Sequence, residues 1–216
     1  MNSEKLTHLE LIPKKVKKIL ILLHGYGSDA EDLFSLGMKF RDLLPETAIL
    51  SVNAPTKCEM QHGGYQWFSL KTMNLFSILK EIKISQKILN NFINEQLERF
   101  NLKNSDIILC GFSQGAMLAL YTGLRTKPAP LAIISFSGML TDTIETLKQE
   151  IQSKPKIFLC HGTADNMVPY SNLERTEKIL REFDIDYESH SIQDMEHMID
   201  NECTEYARNF IKKLNK

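Results

Sequence analysis

Residues 105–124 read SDIILCGFSQGAMLALYTGL. The apolar run Asp106–Phe112 has the length of a buried β-strand, and the stretch from Ala116 to about Arg125 has the length of a helix. Between them, Gly111-Phe112-Ser113-Gln114-Gly115 is a G-x-S-x-G at a strand-to-helix turn, the pattern of a nucleophile elbow. Such a turn lifts the serine hydroxyl out of the sheet. Glycines two before and two after the serine remove side chains that would collide where strand and helix nearly touch. The next backbone N–H and the helix N-terminus then face any negative charge that develops beside the serine.

The rest of the chain repeats this alternation. Lys18–Leu23 (KILILL), Thr47–Val52, Leu131–Phe136 and Lys156–Cys160 read as further buried strands, and Asp186–Ile192 alternates like a last one. Helical spacing marks a segment after Ser28, with Ser28 as its cap and Glu31 three residues on. It also marks Ile78–Phe100, Ser171–Phe183 and Ile199–Leu214. Short apolar strands alternating with helices predict a mostly parallel sheet covered on both faces. The expectation is one α/β domain over residues 1–216, with its functional residues at the carboxyl ends of the strands.

Composition narrows the function. Of 216 residues, 43% are hydrophobic, which excludes intrinsic disorder, and 26 basic against 27 acidic residues exclude the basic surface of a nucleic-acid binder. Met1–Pro13 lacks the apolar core of a signal peptide, and the longest strong apolar run, Ile19–Leu23, is far shorter than a membrane span. A cytoplasmic protein without stable membrane insertion is expected. Cys58, Cys110, Cys160 and Cys203 have neither metal-knuckle nor C-x-x-C spacing, and are expected to be free thiols, Cys110 and Cys160 buried as small hydrophobes.

A serine hydroxyl needs a base, and the base needs a group that holds it in one tautomer. With a nucleophile elbow the chain order is Ser, then Asp or Glu, then His. Of six histidines, His161, His190 and His197 follow Ser113. His190 lies inside the alternating strand pattern, and no strand-end acid stands between Ser113 and His161. His197 falls on the loop between the last strand and the last helix, where a base can reach over the serine. Asp165, on the loop leaving the strand Lys156–Cys160, is the orienting acid. Asp142 is its rival but reads as a helix-start residue, and Asp194 and Glu196 are too near His197 to orient it. The oxyanion donors are the backbone amides of Gln114, after the nucleophile, and of Tyr26, in the loop Leu23-His24-Gly25-Tyr26-Gly27. His24 reads as a buried residue that holds this loop.

Taken together, HGYG (24–27), APTKCE (54–59) with GYQWF (64–68), GFSQG (111–115), HGTADNMVP (161–169) and EH (196–197) resemble the small carboxylesterase/phospholipase family of α/β-hydrolases. That family includes bacterial carboxylesterases and eukaryotic acyl-protein thioesterases. The resemblance runs from about Lys18 to Phe210. It implies hydrolysis of carboxylic esters, lysophospholipids or S-acyl thioesters. It places the catalytic roles on Ser113, Asp165 and His197 and the oxyanion amides on Tyr26 and Gln114. The chain departs from the family at Glu196, where glycine usually precedes the histidine, and at Ala116, where many members carry a third elbow glycine.

Trp67 and Phe68 are read as one wall of an acyl groove, with Met73, Leu75 and Phe76 in a flexible flap, Met73–Leu79. Between Gly138 and Lys156 there are too few residues for a cap domain, so the groove should be open. An exposed apolar flap would also suit homodimerisation. The reaction calls for no metal or cofactor. The competing reading is a catalytically silent α/β-hydrolase that binds a lipid or a partner protein.

Overall fold

The computed structural model describes residues 5–60, 62–71 and 74–214. Its strands are β1 (His8–Leu11), β2 (Lys18–Leu23), β3 (Thr47–Val52), β4 (Thr56–Lys57), β5 (Tyr65–Gln66), β6 (Ile107–Phe112), β7 (Ala132–Phe136), β8 (Lys156–Gly162) and β9 (Tyr187–Ile192). Its α-helices are α1 (Ala30–Met38), α2 (Leu75–Phe100), α3 (Gln114–Gly123), α4 (Ile144–Glu150), α5 (Ser171–Glu182) and α6 (Asn201–Leu214). Seven strands make one sheet in the order β1-β3-β2-β6-β7-β8-β9, while β4 and β5 form a separate small hairpin. Only β1 runs antiparallel to its neighbour; the other pairings in the large sheet are parallel. The carboxyl ends of β2, β6, β7, β8 and β9 therefore open on one edge, and that edge carries the site.

Both faces of the sheet are buried, which is why its strands are apolar at almost every position. Along β2, Ile19, Ile21 and Leu23 pack with Leu89 and Phe92 of α2 and Leu118 of α3. Leu20 and Leu22 point the other way, toward Leu33 and Leu36 of α1 and Phe210 and Ile211 of α6. This is the two-residue period of a strand.

Several boundaries differ from the sequence reading. β1 is an extra edge strand whose four residues are only partly buried, so its apolar pattern is weak. Asp29, not Ser28, caps α1: its Oδ1 accepts from the amides of Glu31 and Asp32 at 2.9 and 3.1 Å. Ser28 instead donates to the Asp32 carboxylate at 2.7 Å. α2 begins at Leu75, where Asn74 accepts from the Ser77 amide at 2.8 Å. Leu75–Leu79 is thus the start of a helix and not a flexible flap; Met73 lies outside the described residues.

The cysteine expectation is also corrected. Cys160 on β8 and Cys203 in the first turn of α6 form a disulfide, with their Cα atoms 6.1 Å apart. The partners are separated by 43 positions, and only the packing of α6 on this face of the sheet brings them together. Free thiols remain at Cys58 and Cys110, the latter buried and its thiol pushed far up by desolvation. Disulfides are rare in a reducing cytoplasm, so the cross-link lends no support to the cytoplasmic expectation. No helix among the described residues is long and apolar enough to cross a membrane.

Candidate active site

Ser113 sits at the tip of β6 with φ 52° and ψ −117°. A non-glycine residue in this region costs on the order of 1–3 kcal/mol. The surroundings enforce it. A Cβ on Gly111 would lie 2.4 Å from the Gly115 carbonyl carbon, and one on Gly115 would lie 2.0 Å from the Leu23 carbonyl oxygen. α3 leaves the turn at once, so the Gln114 amide is a first-turn N–H with no carbonyl of its own helix to bond.

The loop between β9 and α6 brings His197 over the serine. Ser113 Oγ stands 2.9 Å from His197 Nε2, and His197 Nδ1 stands 2.7 Å from Asp165 Oδ2. A carboxylate can only accept here, so Nδ1 carries the proton and Nε2 is left to accept from the serine hydroxyl. The imidazole packs on Phe112, with ring centroids 4.8 Å apart. Asp165 is buried, and its other oxygen accepts from the amides of Met167 and Val168 at 2.9 and 2.8 Å. An imidazole held in this way can take a proton from Ser113 while the fixed carboxylate stabilises the resulting charge.

Three of the sequence candidates therefore meet in one hydrogen-bonded row, and the alternatives do not. Asp142 is fully buried elsewhere, paired with Arg125 at 2.5 Å. His190 pairs with Glu188 and stacks on Tyr206. Glu196 is exposed to solvent beside His197.

His161 has a place that the sequence reading missed. It is buried at the end of β8, donates from Nε2 to the Val168 carbonyl at 2.8 Å, and lies 3.3 Å from Asp165 Oδ2. Desolvation lowers its pKa, which keeps it neutral under the carboxylate. The loops carrying Asp165 and His197 are also tied directly. Thr163 and Ala164 amides donate to Ile192 and Met195 carbonyls, and the Asp194 amide donates to Thr163 Oγ1. A Cβ on Gly162 would lie 2.0 Å from the Met195 carbonyl oxygen, so the glycine of HGTAD is what lets the loops touch.

On the other side of Ser113, His24 is buried as expected. It donates from Nδ1 to the Gly25 carbonyl at 2.7 Å and accepts at Nε2 from the Ala54 amide at 3.0 Å. Burial lowers its pKa and keeps this tautomer neutral. The Gly27 amide is taken by the Tyr65 carbonyl at 2.9 Å and the Ser28 amide by the Gly25 carbonyl at 3.3 Å. The Tyr26 amide has no acceptor among the described residues. The Tyr26 phenol is pushed up to about 12, first of all by desolvation.

Trp67 and Phe68 are buried in the core beside the site. Trp67 Nε1 donates to the His24 carbonyl at 3.0 Å, and the Trp67 amide donates to Gln114 Oε1 at 2.8 Å. Gln114 Nε2 returns a bond to the Phe68 carbonyl at 2.8 Å. These residues brace the loop carrying Tyr26 against the elbow carrying Gln114. Phe76 stands exposed on the first turn of α2, and Leu75 opens that helix. Between β7 and β8 the chain forms only α4, a helix of seven residues.

Known proteins share this architecture. The profile of the phospholipase/carboxylesterase family matches residues 8–215. The crystal structure of esterase PE8 superposes with a TM-score of 0.92 at 37% identity, covering 97% of this chain and 99% of that one. Acyl-protein thioesterase 1 of Emericella nidulans is 28% identical over 222 residues, covering 87% of this chain and 91% of the relative. Lysophospholipase-like protein 1 of Mus musculus is 24% identical over 204 residues, covering 89% of this chain and 84% of the relative. With its mostly parallel seven-stranded sheet and a family match along nearly its whole length, the chain belongs to the phospholipase/carboxylesterase family of α/β-hydrolases and is a carboxylic ester hydrolase.

Proposed function

We propose that Ser113 is the nucleophile of a serine hydrolase acting on acyl esters or thioesters. Ser113 Oγ attacks the acyl carbonyl carbon as His197 Nε2 takes its proton. The amides of Gln114 and Tyr26 hold the oxyanion. The tetrahedral intermediate then expels the alcohol or thiol, which receives the proton from His197, and the acyl group stays on Ser113. Water repeats the sequence and releases the carboxylic acid. Asp165 holds the imidazole in the required tautomer throughout.

The observation that carries this reading is the row Ser113–His197–Asp165, with links of 2.9 and 2.7 Å. The names of the relatives span protein thioesters and lysophospholipids. A site with only α4 in the β7–β8 connection suits an acyl chain carried on a larger molecule. The test is labelling with a fluorophosphonate probe. Wild type is expected to be labelled and Ser113→Ala not. Equal labelling of both, or none of wild type, overturns the assignment.

A further inference from the structure

We propose that His161 is a positioning residue for the reaction: it reaches from β8 to set the place and rotation of the Asp165 carboxylate, and through it the orientation of His197. The proposal rests on the serine-hydrolase reading above and adds what fixes the carboxylate that this reading uses. His161 is still within β8, paired in register with Ser191 of β9, whereas Asp165 lies on the loop beyond the strand. The Tyr170 ring meets the imidazole nearly at right angles, with centroids 6.4 Å apart, and the Tyr170 hydroxyl lies 2.7 Å from Ser191 Oγ. The imidazole therefore has a fixed place relative to the sheet.

A closed chain of contacts ties the carboxylate to that place. His161 Nε2 donates to the Val168 carbonyl at 2.8 Å, and the Val168 amide donates back to Asp165 Oδ1 at 2.8 Å. The same Nε2 stands 3.3 Å from Asp165 Oδ2, the oxygen that faces His197 Nδ1. The amides of Met167 and Val168 lie two and three positions from Asp165. Their bonds set the shape of the turn but would move with it. The Thr163 and Ala164 amides anchor the near end of the turn to the Ile192 and Met195 carbonyls, and His161 anchors its far end to the sheet. The Val168 carbonyl and the carboxylate can only accept, so Nε2 carries the proton and the tautomer is fixed. Burial keeps the ring neutral. A second cation at this carboxylate would compete with the imidazolium that forms on His197, and a neutral N–H holds the turn without that competition. His161 is 1% exposed, so removing its donor leaves a buried carbonyl unpaired.

The experiment is a double-mutant cycle on the hydrolysis of a p-nitrophenyl ester. His161→Leu keeps similar bulk and removes the donor. Alone, it is expected to lower kcat by roughly ten- to a hundredfold with KM nearly unchanged, the scale of a misplacement of about 1 Å. In an Asp165→Asn background the same change is expected to lower kcat by less than about twofold, because no carboxylate is left to position. His161→Gln, whose side-chain amide can donate to the Val168 carbonyl, is expected to bring kcat back to within about fivefold of wild type. His161→Asn, polar but too short to reach Val168, carries the cycle if the leucine variant does not fold. An equal loss of kcat in both backgrounds overturns the proposal, since it marks a role that does not pass through Asp165. So does a folded His161→Leu or His161→Asn with wild-type kcat, or a loss confined to KM. Absence of fluorophosphonate labelling in wild type is a different failure: it removes the nucleophile assignment, and the positioning role with it.

Discussion

Gln114 grips the backbone of Trp67: its side-chain oxygen accepts the Trp67 amide at 2.8 Å, while its own amide stands free at the head of α3. In the mechanism proposed above, one residue would offer a main-chain donor to the oxyanion while its side chain holds Trp67, which in turn bonds the His24 carbonyl beside the other proposed donor. Gln114→Ala keeps the main-chain N–H but cuts the brace. Misplacement on the scale of 1 Å can cost about a hundredfold. The expected outcome is a fall in kcat of roughly ten- to a hundredfold with a smaller change in KM. An equal loss in Ser113-directed labelling and in thermal stability would mark the bond as merely structural.

The two aspartates that compete in the sequence are expected to fail in different ways. Asp165→Asn disturbs the tautomer of His197 and should lower kcat by about four orders of magnitude. Asp142→Asn leaves the nearly buried Arg125 with a weakened partner, and breaking a buried pair costs about 3–5 kcal/mol. That variant should melt roughly 10 °C lower while turning over substrate normally below its melting range. Calorimetry and initial rates on both variants separate the roles.

His24 and His161 predict a pH dependence of stability. Burial holds both below the usual 6.5 in the folded protein. Above pH 6.5 both states are neutral there, and the contribution is complete. As pH falls below 6.5 the unfolded chain binds protons that the folded chain refuses, so stability drops toward the lowered pKa values. The melting temperature should decline below pH 6.5, and His24→Gln should flatten the decline. A second drop belongs at lower pH. Asp42, beside Arg208, and Glu10, beside Arg99, are both held near 2, and their pairs are lost as they protonate.

Thiol titration tests the cross-link. In denaturant without reductant the chain should show two reactive thiols, those of Cys58 and Cys110, and four after reduction. Four thiols before reduction would exclude the bond. Cys203→Ala is expected to lose about 2–4 kcal/mol, since it opens a loop with a separation of 43 residues.

What the sequence shows depends on how local the governing physics is. The elbow at Ser113 is legible because steric exclusion acts within five residues, and both glycines prove to face backbone atoms. The order Ser113, Asp165, His197 is legible because strand ends and loops follow from apolar period. The Cys160–Cys203 pair, the Asp142–Arg125 pair and the Gln114–Trp67 brace are not, because each joins distant segments through packing of helices on the sheet. Trp67 shows the same limit. Its aromatic character placed it near the substrate, but its indole N–H bond to His24 and its burial assign it to bracing the site. Chain order sets His161 aside as a base, and nothing local announces that it shares a carboxylate with His197.

The disulfide has one more consequence. Residues 160–203 form a covalent ring, and Asp165 and His197 both lie on it. Asp184, fully exposed and in a left-handed turn, lies on the same ring between them. A protease that cuts at Asp184 would put Asp165 on one fragment and His197 on the other, yet the two fragments would remain one molecule, joined through sulfur a few residues from each.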